Sequence, residues 1–299
     1  KIAFVKSYFS EVSERPGVMF LGGLRSDMEG TKACFLESLC KKKRINFIKF
    51  DYTGHGMSSG KFEDGCIGEW FADACEVFDK LTSGEQILVG SSMGGWISLL
   101  LAKKRSERLA GFTGIAAAPD FTENSMWASF SEQQREELTN KGRVFIPSDY
   151  SAEPLHVSKK LIDDGRRHLV LDSKLKFNFP VRLLQGMKDK DVNFKQAVQL
   201  GEHISCENLK VTLVKNADHQ FSSEECLKIL SQTVEELFGE RGKNIDDTKE
   251  VLRLYGNMSS VTVLYVLERF LNRKILAGDY GLMLSFGPGF SAQRILIQW

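Results

Sequence analysis

Gln86-Ile87-Leu88-Val89-Gly90-Ser91-Ser92-Met93-Gly94-Gly95-Trp96 is the stretch whose reading decides the fold. An apolar run of strand length leads into Gly-x-Ser-x-Gly, and the pattern from Trp96 to Ala102 is helical. A strand that turns this sharply into a helix needs small residues at Gly90 and Gly94, so that the backbone can bend without a side chain in the way. The central residue, Ser92, then stands exposed at the end of a strand with a helix starting beneath it. This is a nucleophile elbow, and it makes Ser92 the candidate nucleophile.

The same alternation repeats on both sides of the elbow. Residues 17–22 form a short apolar run into Gly22-Gly23-Leu24, and a helical pattern follows from Thr31 to Lys43. The strand Asn46 to Phe50 runs into a glycine loop, Asp51-Tyr52-Thr53-Gly54-His55-Gly56-Met57-Ser58, whose glycines permit positive φ. The next helix sets Ile67, Trp70, Phe71, Ala74, Val77, Phe78 and Leu81 on one face. A strand is expected at 112–117 after the elbow helix 95–104, then Val181 to Leu184, the helix Phe194 to His203, the strand Leu209 to Val214 and the helix Glu224 to Phe238. Strand and helix in alternation predict an α/β fold, a mostly parallel sheet covered by helices on both faces. Between about residues 120 and 180 the alternation breaks into polar helical segments, read as a cap over the serine, with Met126, Trp127 and Phe130 as its substrate lining or its core.

Bulk properties narrow the function classes. With 42% hydrophobic and 26% charged residues in 299, the chain reads as an ordinary soluble protein. A formal net charge of +1 gives no electrostatic case for nucleic acid or a membrane surface. The basic run Lys41-Lys42-Lys43-Arg44 closes a helix, where cations suit the negative end of its dipole. Cys34, Cys40, Cys66, Cys75, Cys206 and Cys226 lack C-x-x-C spacing and are expected as reduced thiols. No stretch approaches transmembrane length, so a cytoplasmic protein is expected. The start at Lys1, almost within the strand-like Ile2-Ala3-Phe4-Val5, reads as a cut from a longer chain, with an organellar matrix as the variant location.

A serine hydroxyl needs a base, and the base needs a carboxylate to hold its tautomer. Of five histidines, His219 in Asn216-Ala217-Asp218-His219 lies just past a strand, at the carboxyl edge of the sheet. His203 sits on a helix, His55 in the glycine turn, and His156 and His168 in the cap. The loop Gly186-Met187-Lys188-Asp189-Lys190-Asp191 offers Asp189 as the preferred acid and Asp191 as its rival, and Asp120 is a lesser candidate. The order Ser92, Asp189, His219 matches the Ser, acid, His order that this elbow accompanies. The oxyanion needs backbone donors, for which Met93 N–H and Leu24 N–H are the candidates.

Residues 1–238 resemble an α/β-hydrolase, and within that superfamily the palmitoyl-protein thioesterase and acyl-glucuronide esterase group. The stretches carrying the resemblance are residues 20–33, Phe50 to Ser58, Gly90 to Trp96, Gly186 to Asp189, and Asp218-His219. The resemblance implies a Ser92, Asp189, His219 triad and hydrolysis of acyl esters or thioesters without a cofactor or metal, on small-molecule or acyl-protein substrates. Gln185 stands where many such hydrolases have His, and Asn193 where Pro is frequent.

After a linker at 239–244 the character changes. Residues 245–299 read as a long helix, Ile245 to Leu271, and two strands, Tyr280 to Phe286 and Arg294 to Trp299. Tyr255-Gly-Asn-Met-Ser-Ser260 and residues 281–289 resemble the C-terminal, thiolase-fold end of type III polyketide synthases of the chalcone synthase kind, with Asn257 on the catalytic asparagine. The nucleophilic cysteine and the histidine that family needs are missing from their places, so the tail reads as a fusion segment able to self-associate or dock a partner. Three function classes result. A serine hydrolase leads, ahead of a condensing acyltransferase and a non-catalytic hydrolase-fold binding protein.

Overall fold

The computed structural model describes residues 1–9, 15–147, 154–240, 251, 254–255, 264–268, 280–287 and 291–298. The chain forms two compact units, residues 1–238 and 239–299. The first unit contains, in order, β1 (Phe4–Ser7), β2 (Gly17–Leu21), α1 (Thr31–Lys43), β3 (Phe47–Phe50), α2 (Ile67–Leu81), β4 (Gln86–Ser91), α3 (Met93–Lys104) and β5 (Leu109–Ile115). A cap follows, with α4 (Glu132–Lys141), β6 (Arg143–Ile146), β7 (Leu155–Ser158) and α5 (Lys159–Gly165). The unit closes through β8 (Leu175–Lys176), β9 (Val181–Gly186), α6 (Phe194–His203), β10 (Ile204–Ser205), β11 (Leu209–Val214) and α7 (Glu224–Glu240). The second unit holds β12 (Tyr280–Gly287) and β13 (Ser291–Gln298).

Seven strands form one sheet in the order β1-β3-β2-β4-β5-β9-β11. All neighbours pair parallel except β1, which runs antiparallel along β3 at the edge. Alternation along the strands feeds two cores. Val18, Phe20, Phe47, Ile87 and Val89 face α1 and α7 through Leu36, Cys40, Val234 and Leu237. Met19, Leu21, Ile48, Phe50 and Leu88 face α2 and α3 through Trp70, Phe78, Trp96 and Leu99. A sheet buried on both faces reads as continuous apolar runs, which is why β2, β3, β4, β5 and β9 carry no polar alternation.

Four elements depart from expectation. β5 runs from Leu109 to Ile115, not 112–117, because Ala116 takes φ 46° and Ala118 N–H turns back to Ser92 O at 3.2 Å. α3 starts at Met93, directly after the serine. The cap contains an antiparallel pair, β6 with β7, that its short four-residue runs did not announce. α7 also continues to Glu240, two residues into the stretch read as linker.

The cap is secured to the sheet at named points. Asp120, at φ 57° after β5, accepts the N–H groups of Val170 (2.9 Å) and Leu171 (3.0 Å). Trp96 Nε1 on α3 donates to His168 O at 3.0 Å, and its ring meets Phe121 edge-on at 5.5 Å. Gly68 N–H, on α2, donates to Asp164 Oδ2 on α5 at 2.6 Å. Ser131 and Gln134 form a reciprocal capping box that starts α4. Phe130 is buried, and Trp127 lies between the guanidinium groups of Arg135 (5.1 Å) and Arg166 (4.6 Å), so these aromatics belong to the cap's own packing. Asp120→Ala leaves two buried N–H groups without their acceptor, and the expected loss by chemical denaturation is about 2–4 kcal/mol. A change below about 0.5 kcal/mol would show the carboxylate to be idle.

In the second unit β12 and β13 pair antiparallel from Tyr280↔Gln298 to Gly287↔Ser291. Residues 251, 254–255 and 264–268 are helical, within the helix expected over 245–271. The rest of that span, Asn257 included, lies outside the described residues. Among the described residues no helix is long and apolar enough to cross a membrane.

Candidate active site

β4 delivers Ser91 to the carboxyl edge of the sheet, and the chain reverses there into α3. A Cβ on Gly94 would lie 2.1 Å from Leu21 O, and one on Gly90 would lie 2.4 Å from Gly94 O. Both positions therefore exclude any side chain, and the sharp turn depends on their glycines. Ser92 itself takes φ 53° and ψ −118°, an unfavourable conformation for a residue with a Cβ. It is held there because Ser92 N–H donates to Ile115 O (2.9 Å) and Ser92 O accepts from Gly95 N–H (2.9 Å).

β9 and β11 are neighbours in register, Gly186 opposite Val214, so the loops after them leave the same edge side by side. The first carries Asp189 and the second His219. His219 Nε2 lies 3.1 Å from Ser92 Oγ, and His219 Nδ1 lies 2.8 Å from Asp189 Oδ2. The three side chains named from the sequence are thus brought into one chain of contacts. The two loops are also stitched to each other, since Lys188 N–H donates to Ala217 O at 2.9 Å.

The Asp189 carboxylate is fully enclosed. Burial alone would raise its pKa, but the contact with His219 and the hydrogen bonds from Val192 N–H (2.8 Å) and Gln185 Nε2 (2.8 Å) outweigh burial and hold it below the ordinary value. Asp191 stays exposed, and its N–H donates to Asp189 Oδ1 at 2.9 Å, so the rival acid serves the preferred one through its backbone. Asp120 is committed to the cap, and burial, its largest influence, raises its carboxyl. Donor atoms of Asp189, Asp191 and His219 lie within 4.8 Å of one another, close enough for a cation, yet Asp189 and His219 are already engaged with each other.

The loop after β2 flanks the serine, because a Cβ on Gly23 would sit 3.4 Å from Ser92 Cβ and from Ser91 O. Leu24 follows it directly. The other histidines go elsewhere. His55 is buried among Tyr52, Phe62 and Trp70, with Nδ1 3.3 Å from Thr53 O, and burial lowers its pKa. His203 Nε2 contacts Ser173 O at 2.6 Å, His156 lies on β7, and His168 joins the cap to α3.

Two supporting residues were not named from the sequence. Gln185 stands out there only as a departure from a family pattern. In the structure it is fully buried, with its Nε2 directed at Asp189, Gly186 O and Val192 O. Lys32 donates to Gln220 O beside His219, and burial lowers its ammonium to about 8. No sequence signal marks a lysine on α1 as a neighbour of a loop nearly two hundred residues away.

A family model for serine aminopeptidase, S33, matches residues 15–165. The human mitochondrial palmitoyl-protein thioesterase ABHD10 is 35% identical over 223 residues, covering 74% of this chain and 72% of that protein. The chain belongs to the α/β-hydrolase family. Its hydrolase unit superposes on the solved structure of α/β-hydrolase domain-containing protein 10 from mouse with a TM-score of 0.74 at 32% identity, covering 80% of this chain and 94% of that one. A second family model, for the C-terminal domain of chalcone and stilbene synthases, matches residues 226–299, beginning inside α7. There, 57 residues are 40% identical to 3,5-dihydroxyphenylacetyl-CoA synthase of Amycolatopsis orientalis, covering 19% of this hydrolase and 15% of the synthase.

Proposed function

We propose that residues 1–238 are a serine hydrolase that cleaves acyl esters or thioesters through an acyl-enzyme on Ser92. The observation that carries the reading is the line of contacts from Ser92 Oγ to His219 Nε2 (3.1 Å) and from His219 Nδ1 to Asp189 Oδ2 (2.8 Å). In this reading Ser92 Oγ–H donates to the neutral imidazole, which takes the proton as the oxygen attacks the acyl carbonyl. Asp189 accepts from Nδ1–H, keeps Nε2 free to receive, and stabilises the imidazolium that forms. The imidazolium then protonates the leaving alkoxide or thiolate, and a water activated by the same base releases the acid.

Met93 N–H, at the positive end of α3, and Leu24 N–H are the proposed oxyanion donors. Their support is position: Met93 follows Ser92 directly, and Leu24 follows Gly23, where a Cβ would lie 3.4 Å from Ser92 Cβ. The names of the curated relatives support a thioester substrate, and the word mitochondrial in them supports an organellar matrix over the cytoplasm. We read residues 245–299 as an appended, non-catalytic segment, since its match spans 15% of a complete synthase.

The test is labelling of the full chain by a fluorophosphonate probe, with rates for p-nitrophenyl esters and acyl-CoA thioesters of increasing chain length. Labelling at Ser92 and turnover of both series are expected, with thioesters of long chains preferred. Equal labelling and turnover in Ser92→Ala would remove the reading.

A further inference from the structure

Five of the six cysteines sit in inert surroundings. Cys40, Cys66, Cys75 and Cys226 are buried, and burial pushes the Cys40 thiol to about 12 and the Cys66 thiol to about 11. Cys206 Sγ is engaged with Phe179 O at 3.1 Å. Cys34 differs. It lies half-buried on the first turn of α1, where its N–H donates to Gly30 O. Its Sγ is 3.4 Å from Lys49 Nζ, 3.3 Å from Glu29 O and 3.6 Å from Glu29 Oε2.

Lys49 projects from β3 and its side chain is 1% exposed, a rare setting for a lysine. Its ammonium meets Glu37 Oε2 at 3.0 Å and Glu29 Oε1 at 3.2 Å. Burial alone would lower its pKa, but Glu37, Glu29 and Cys34 together raise it. Glu29 is 61% exposed, so the cluster opens to solvent on the sulfur side. A thiol, an ammonium and two carboxylates therefore share one site, which the hydrolase chemistry does not use.

We propose that Cys34 and Lys49 form a reversible oxidative cross-link between α1 and β3 when the protein meets hydrogen peroxide. The Cys34 thiol first loses its proton by way of Glu29 to solvent. The thiolate attacks one peroxide oxygen. The O–O bond breaks, the departing hydroxide takes a proton from the adjacent Lys49 ammonium and leaves as water, and sulfur is oxidised by two electrons to the sulfenic acid. The Lys49 amine freed in this way attacks the sulfenic sulfur. The S–O bond breaks, a second water leaves, and an S–N bond forms, just as a backbone nitrogen forms a sulfenamide. The sum is thiol plus amine plus one peroxide giving the S–N link and two waters. A thiol reductant attacks the sulfur, frees the amine, and with a second thiol restores Cys34.

The test is peptide mapping of the full chain after graded peroxide treatment, without and with dithiothreitol. Trypsin should yield residues 33–41 joined to residues 45–61, with Lys49 uncut and the product two hydrogens lighter than the separate peptides. Dithiothreitol should remove the joined peptide. Cys34→Ser, which keeps shape and burial, should abolish it, although Cys40 remains in the same peptide. Three results each overturn the proposal: persistence of the link in Cys34→Ser, a link that resists dithiothreitol, or oxidation of Cys34 only to its acids with Lys49 cleaved normally.

Discussion

Ser92→Ala is expected to lower kcat/KM toward an acyl thioester on the order of a millionfold, the loss found when a nucleophile is removed from a coupled triad. The change takes away one oxygen and leaves the surroundings intact. Gly90, Gly94 and the bonds from Ser92 N–H to Ile115 O and from Gly95 N–H to Ser92 O do not involve the hydroxyl. Alanine must adopt the same φ of 53°, so the strain stored at the turn is unchanged. Thermal melting should therefore move by less than a few degrees while turnover falls to the level of the proposed oxyanion donors and binding alone. Rates measured on protein that still melts near the parent's midpoint decide it. A fall smaller than about tenfold, under 1.4 kcal/mol, would mean that another group attacks.

Asp189→Asn is expected to reduce kcat by about ten thousandfold with little change in KM. An amide in this position turns a donor toward both His219 Nδ1 and Gln185 Nε2, each 2.8 Å from Asp189 Oδ2. The imidazole would then carry its proton on Nε2, facing the serine, where it cannot act as base. The carboxylate's pKa also has a consequence for stability. Its folded value is below the unfolded one, so the bonds it accepts contribute stability fully present above the ordinary carboxylate range. That contribution is lost as pH falls through the lowered value, and the asparagine variant should lack this part of the acid dependence. Stopped-flow or steady-state rates against pH, with denaturation midpoints at the same pH values, test both halves.

Much of the hydrolase unit was legible because its signals are periodic. α2 repeats apolar residues from Ile67 to Leu81 at helical spacing, and the observed helix has those bounds. α6 and β11 also match their expected ends. The cap hairpin was not legible, since Val144 with Ile146 and Leu155 with Val157 offer too few alternations to tell a strand from a loop. The end of β5 was hidden for another reason. Ala116 and Ala117 look like strand residues, yet tertiary contact with the elbow bends the chain there.

At the candidate site, Ser92, Asp189 and His219 are marked out by motif and by position after strands. Their supports do not. Gln185 and Lys32 act through contacts that only the folded chain creates, and the sorting of Asp189 from Asp191 rests on which carboxylate is enclosed.

Among the described residues β11 is the last strand of the sheet, bonded to β9 alone, and most of its residues are only partly covered. The loop that presents His219 hangs from it, whereas Ser92 is rooted in β4 at the middle of the sheet. Edge elements open at lower free energy than central ones. Warming would thus separate base from nucleophile by local fraying well before the core melts. The temperature ceiling of such an enzyme is set by amide protection along its weakest margin, and reinforcing that margin would raise the working range without touching the catalytic groups.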